Sequence, residues 1–198
     1  MSTPITKPQG TARERLLAAA NELFYAEGVH TVGIDRVIEK AGVAKASLYA
    51  SFNSKEDLIV AYLEGRAERR HARLTDRVGK YDKPREQILG IFDLLGEISA
   101  ENNYRGCAFV NASAEGDPDG PVRDVCVRSR TWVRALFVRL AKDFGAADPG
   151  KLGQRLNQLY DGAVITASMD RDLSAPKEAR AMAELLLDTA ARKKGSRS

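Results

Sequence analysis

Residues 28–55 read GVHTVGIDRVIEKAGVAKASLYASFNSK, and the spacing of apolar residues within them decides the fold. Val37, Ala41, Val43 and Leu48 recur at intervals that set them on the facing sides of two short helices. The pattern predicts a helix over 34–41, a tight turn at Gly42-Val43, a second helix over 45–51, and Asn53-Ser54 opening a long helix that reaches about residue 80. Gly42 stands where the turn needs a permissive backbone, and Phe52 adds an aromatic contact at the end of the second helix. Such a pair can be an ordinary helical corner, so the face it presents has to decide what it does.

That face carries Lys45, Ala46, Ser47, Tyr49 and Ala50, a set small enough to let a helix sink into a DNA major groove about 12 Å wide. Lys45 and Ser47 can donate to base edges or phosphates, and the Tyr49 hydroxyl can reach a phosphate while its ring stays packed. Lys55 opens the long helix, whose free N–H groups and positive dipole end suit a phosphate. Taken singly, Tyr49 and Phe52 read equally well as core and Lys45 and Lys55 as solvated surface. Their joint spacing is what favours DNA.

Working outward, Thr11 and Glu14 form a capping-box pair at the start of a first helix, Leu16, Leu17, Ala20, Leu23 and Phe24 give it one apolar face, and Gly28 stops it. Toward the C-terminus, Pro84, residues 116–121, Asp148-Pro149-Gly150 and Ser174-Ala175-Pro176 punctuate helices over 84–101, 106–115, 121–144, 150–171 and 176–192. No segment alternates as a half-buried strand does. The expected fold is all-α, about nine helices, with a three-helix head; the charged tail 193–198 reads as a solubilising end.

Composition agrees with a folded, water-exposed chain: 43% hydrophobic and 29% charged residues over 198 positions. A net charge of +4 permits a polyanionic partner without demanding one. The first ten residues lack the apolar run of a secretory signal, and no stretch approaches the roughly 18 apolar residues of a membrane span, so a cytoplasmic location with no membrane partner is expected. Cys107 and Cys126 read as two small buried hydrophobes; a nucleophilic or redox role for Cys107 would need a depressed pKa. His30 and His71 pair with no Cys or carboxylate at metal-ligand spacing, and no phosphate-cradling glycine loop is present, so neither a metal, a cofactor nor a catalytic residue is expected.

From Gly28 to Lys55 the chain resembles, without gaps, the DNA-binding segment of the tetracycline-repressor (TetR) family. Gly28, Val37, Ala41-Gly42-Val43, Lys45, Ser47-Leu48-Tyr49, Phe52 and Ser54-Lys55-Glu56 carry the likeness, with Leu58 beyond. The resemblance implies a homodimer with a DNA-binding head over 8–70 and a regulatory, dimerising body over 71–198. It also implies a double-stranded DNA operator as partner, a small-molecule effector, and repression as the common sign. Four positions depart from the family pattern. Val32 and Gly33 stand where a Thr and a hydroxyl cap are frequent, so a phosphate contact at the start of the first short helix is either lost or left to backbone N–H groups. Ile38 replaces a small Ala, and Ala44 a Ser cap.

After residue 60 the likeness thins, although Arg105-Gly106-Cys107, Asn111-Ala112, Glu115 and Asp117-Pro118 resemble one variety of the regulatory body. Phe92, Leu95, Phe109, Trp132, Leu136, Phe137 and Tyr160 could line a cavity for an apolar or aromatic compound, although aromatic residues at this spacing are more often core than pocket; Asn111, Glu115 and Arg128 are candidate polar anchors, with surface or capping roles the default. Leu156, Leu159, Ala163, Leu186 and Ala190 belong to two terminal helices with more apolar surface than they can bury alone. Pairing two copies in a four-helix bundle would cover it.

Overall fold

The computed structural model describes residues 10–115, 117 and 119–190. Among them are nine α-helices and no strand: α1 (Ala12–Glu27), α2 (Ile34–Ala41), α3 (Lys45–Ser51), α4 (Lys55–Gly79), α5 (Pro84–Ser99), α6 (Ala108–Glu115), α7 (Pro121–Asp143), α8 (Pro149–Met169) and α9 (Ala175–Thr189). Pro118 and the tail 193–198 lie outside the described residues.

Two compact units are present, one of residues 1–66 and 108–126 and one of residues 67–107 and 127–198. The chain passes between them within α4, at the start of α6 and within α7. In the first unit, Thr11 Oγ1 accepts from the Glu14 amide at 3.2 Å and a Glu14 carboxylate oxygen accepts from the Thr11 amide at 2.8 Å, so the expected capping box holds the start of α1. Phe24 meets Tyr62 of α4 edge to face at 5.6 Å. Arg66 stacks over Tyr25 at 3.5 Å and donates to Asn21 at 3.2 Å. These contacts fasten the leading part of α4 to α1, and α1 in turn packs against α2 and α3.

In the second unit α5, α8 and α9 pack on one another around a core containing Leu74, Ile88, Phe92, Phe137, Leu140, Leu156 and Leu187. Phe92, Phe137 and Tyr160 make a mutually tilted aromatic trio, 5.9, 6.4 and 6.0 Å apart. α6 starts two residues later than expected because Gly106 takes a φ of +78°, and its backbone lies so close to Ser168 that an added Cβ would stand 2.7 Å from the Ser168 Cβ.

Candidate nucleic-acid interface

The turn between α2 and α3 is built by backbone hydrogen bonds. Gly42 adopts the left-handed conformation, φ +61° and ψ +43°; its amide donates to the Glu39 carbonyl at 3.1 Å, and the Val43 amide donates to the Ile38 carbonyl at 3.3 Å. This crossed pair satisfies carbonyls that α2 would otherwise leave open, and it ends the helix in a fixed direction. Val37, Ala41, Leu48 and Phe52 are buried beneath the turn, with Val43 half-buried. Arg13 of α1 covers the Phe52 ring at 5.2 Å. The angle of α3 is thus set by the packing beneath it and by the turn before it.

Both short helices begin without a side-chain cap. Gly33 and Ala44 hold extended N-cap backbones, and neither offers an oxygen to the first-turn amides. The α3 amide of Ser47 instead donates to the Ala44 carbonyl at 2.9 Å. Val32, where the family favours a Thr, is fully buried, so it serves packing.

Gly33, Lys45, Ala46, Tyr49 and Ala50 are exposed and Ser47 half-exposed, which leaves the small-residue face of α3 open to solvent. Tyr49 is more open than expected: the residue as a whole is 51% exposed, because Leu48 and Phe52 already fill the inward side of this two-turn helix.

The charges around this face are arranged in ways the sequence did not reveal. Lys45 Nζ donates to Asp35 of α2 at 3.1 Å, and this hydrogen bond, aided by the Asp35 and Tyr49 charges, pushes the ammonium pKa upward. Lys55 Nζ donates to the His30 carbonyl at 3.3 Å, which draws the side chain across the start of α4. There Ser54 Oγ accepts from the Asp57 amide at 3.0 Å, while the Asp57 carboxylate accepts from the Asn53 amide and side chain at 3.2 and 3.0 Å. The Asn53–Asp57 clasp could have been sought from an Asx residue four positions before an acid beside a helix start. Asp35 and Arg13 carry no such local signal, since their partners lie 10 and 39 positions away.

Of the residues expected around an effector, Phe92, Leu136 and Tyr160 are buried in one core cluster, with Trp132 packed against it. Phe109 and Asn111 belong to α6 and the other unit, Phe109 buried and Asn111 exposed. The expected dimer residues need correction. Leu156 and Ala163 are 0% and 5% exposed inside their own protomer, because the apolar face of α8 is spent on α5 and α9; Leu159, Leu186 and Ala190 are partly buried. The exposed large apolar side chains on α9 are instead Met182 and Leu185.

Residues 16–62 match the family of bacterial regulatory proteins named tetR. The crystal structure of SCO4454, a TetR-family transcriptional regulator from Streptomyces coelicolor, is similar with a TM-score of 0.85 and 34% identity, over 90% of this chain and 95% of that one. The reduced form of Escherichia coli NemR gives 0.79 and 27%, over 93% and 99%. By sequence, the HTH-type transcriptional repressor NemR of Escherichia coli K12 is 28% identical over 192 residues, 90% of this chain and 95% of NemR. The HTH-type transcriptional activator FasR of Mycolicibacterium smegmatis is 42% identical over 57 residues, 29% of this chain and 26% of FasR. With its turn, its groove-sized α3 and a likeness to SCO4454 over 90% of its length, this chain belongs to the TetR family, whose members are DNA-binding transcriptional regulators and not enzymes.

Proposed function

We propose that the protein is a homodimeric repressor that holds a palindromic operator through α3 and releases it when a small apolar or aromatic molecule binds the C-terminal part of the chain. The observation that carries the DNA reading is the outward face of α3: Lys45, Ala46, Tyr49 and Ala50 stand exposed on a helix whose inward residues are locked by Gly42, Leu48 and Phe52. Residues 8–70 form the reading head in this account and residues 71–198 the regulatory part. The likeness to NemR, named a repressor, supports the sign.

Dimerisation follows from the leftover apolar surface. Met182 and Leu185 lie one helical turn apart on α9, 55% and 64% exposed, with Leu186 and Leu159 half-buried beside the core. A second copy pairing through this face buries what one protomer cannot. An effector binding more tightly to one conformation of the dimer than to the DNA-competent one lowers operator affinity by that difference in binding energy. The cell compartment of such a regulator is the cytoplasm, where its DNA is.

Selection of duplexes from a random pool by the purified protein tests this reading. The expected product is an inverted repeat whose half-sites lie about one helical turn apart, or a multiple of it, bound by a dimer. Failure to enrich any sequence would leave a helical dimer that does not read DNA. Release of the enriched duplex by members of a panel of small aromatic compounds supports the effector arm; indifference to the whole panel counts against it.

A further inference from the structure

We propose that Asp35 sets DNA specificity by occupying Lys45 on DNA that lacks the operator sequence, and gives it up only to the operator. This rests on the reading of α3 as the recognition helix. Asp35 is the second residue of α2 and Lys45 the first of α3, and the turn at Gly42 brings carboxylate and ammonium to 3.1 Å. Both side chains stand well out in solvent, 60% and 79% exposed for Lys45 and Asp35. The acids of α1 that face α2 are already matched, Glu27 by Arg36 at 2.7 and 3.0 Å and Glu22 by Lys40 at 2.6 Å. Lys45 therefore meets incoming DNA as half of an ion pair, not as a bare cation.

An exposed pair of this kind is weak, so a phosphate or base edge competes with Asp35 on nearly equal terms. Random duplex offers Lys45 one phosphate in exchange for its carboxylate, and leaves Asp35 uncompensated beside a polyanion. The exchange gains nothing, and Lys45 releases no counterion from such DNA. On the operator the remaining α3 contacts fix the helix in the groove, and the position offered to Lys45 is held in place by them; there the exchange goes forward. Asp35 thus weakens the sequence-blind part of binding while sparing the sequence-reading part, and the ratio of the two rises.

A double-mutant cycle reads this out. Wild type, Asp35→Asn, Lys45→Gln and the double variant are titrated by fluorescence anisotropy against the duplex most enriched by wild type and against its scrambled sequence, across a range of salt. Asp35→Asn keeps the size of the side chain and removes its charge at an exposed site, and thermal unfolding verifies that all four proteins stay folded. Asp35→Asn is expected to tighten the scrambled duplex by roughly three- to tenfold at low salt and to steepen its log K against log salt slope by about one unit per bound head. The enriched duplex changes less, so the specificity ratio falls. Lys45→Gln alone leaves the scrambled-duplex slope at the wild-type value, and in the Asp35→Asn background it restores that value. The proposal is overturned if Asp35→Asn leaves the scrambled duplex unaffected. It is equally overturned if the effect of Asp35→Asn is the same with and without Lys45, since Asp35 then acts only as a general negative charge. A pool with no enriched sequence removes the operator reading and this inference together, whereas an enriched sequence with an inert Asp35 removes the inference alone.

Discussion

His71 of α4 lies flat on Trp132 of α7, ring centroids 3.9 Å apart and planes 18° from parallel. Burial, and after it the charge of Arg70, lowers the imidazole pKa from its ordinary 6.5. The unfolded chain then takes up this proton at a higher pH than the folded one. The stability that the neutral stack contributes is complete above about pH 6.5 and is lost as pH falls through the lowered folded value. Thermal unfolding followed from pH 8 to pH 5 is expected to show a smaller loss of midpoint in His71→Phe, which keeps an aromatic ring on Trp132, than in wild type. Equal losses would show that the stack does not feel the proton.

At the alkaline end the corresponding group is Tyr160, buried in the core with its pKa pushed up to about 12, chiefly by that burial. Here the folded pKa is the higher one. Stability is intact below about pH 10, the unfolded value, and declines by up to ~3 kcal/mol as pH rises toward 12. Tyr160→Phe is expected to flatten that decline in urea melts taken at pH 9 and pH 11, beyond any change it makes at neutral pH.

Two substitutions in the helix-turn-helix should move stability in opposite directions. Gly42 holds a φ of +61° with open space where a Cβ would go, so Gly42→Ala meets backbone strain without a clash and costs ~1 kcal/mol. Ala44 already has the extended N-cap geometry and lacks only an oxygen, so Ala44→Ser adds a cap to α3 and gains ~1 kcal/mol. In a chain of this length each shifts the midpoint by about 2–4 °C, down for Gly42→Ala and up for Ala44→Ser, measurable by calorimetry.

On the terminal helices, Leu185→Asp and Leu156→Ala separate surface from core. Leu185 is 64% exposed, so its replacement by Asp should leave the protomer folded and shift sedimentation from dimer toward monomer. Leu156 is fully buried, and Leu156→Ala should cost ~2–5 kcal/mol of stability while the protein that remains folded still dimerises. A dimer undisturbed by Leu185→Asp would place the subunit contact elsewhere.

What could be read in advance was local. Thr11 with Glu14 and Gly42 before Val43 each act through partners within five positions, so residue type and spacing alone announce the capping box and the left-handed turn. Leu48 and Phe52 were legible for the same reason, since a short amphipathic helix has one inward face. The phase of the longer helices was not. α8 is apolar around much of its girth, and only its packing against α5 and α9 shows that Leu156 and Ala163 are spent inside the protomer while α9 keeps Met182 and Leu185 outside. The pairing of Lys45 with Asp35 was hidden for a related reason, because it depends on how α2 and α3 cross.

DNA recognition turns on α3 entering the groove by its small-residue face, and Ala46→Glu tests this most directly. Ala46 is exposed in α3, so glutamate is accommodated with little effect on the fold, yet it sets bulk and negative charge where the groove floor should be. Titrated against the duplex enriched by wild type, with thermal unfolding unchanged, the variant is expected to lose at least ~100-fold in affinity. Binding within about twofold of wild type would show that DNA is held by another surface.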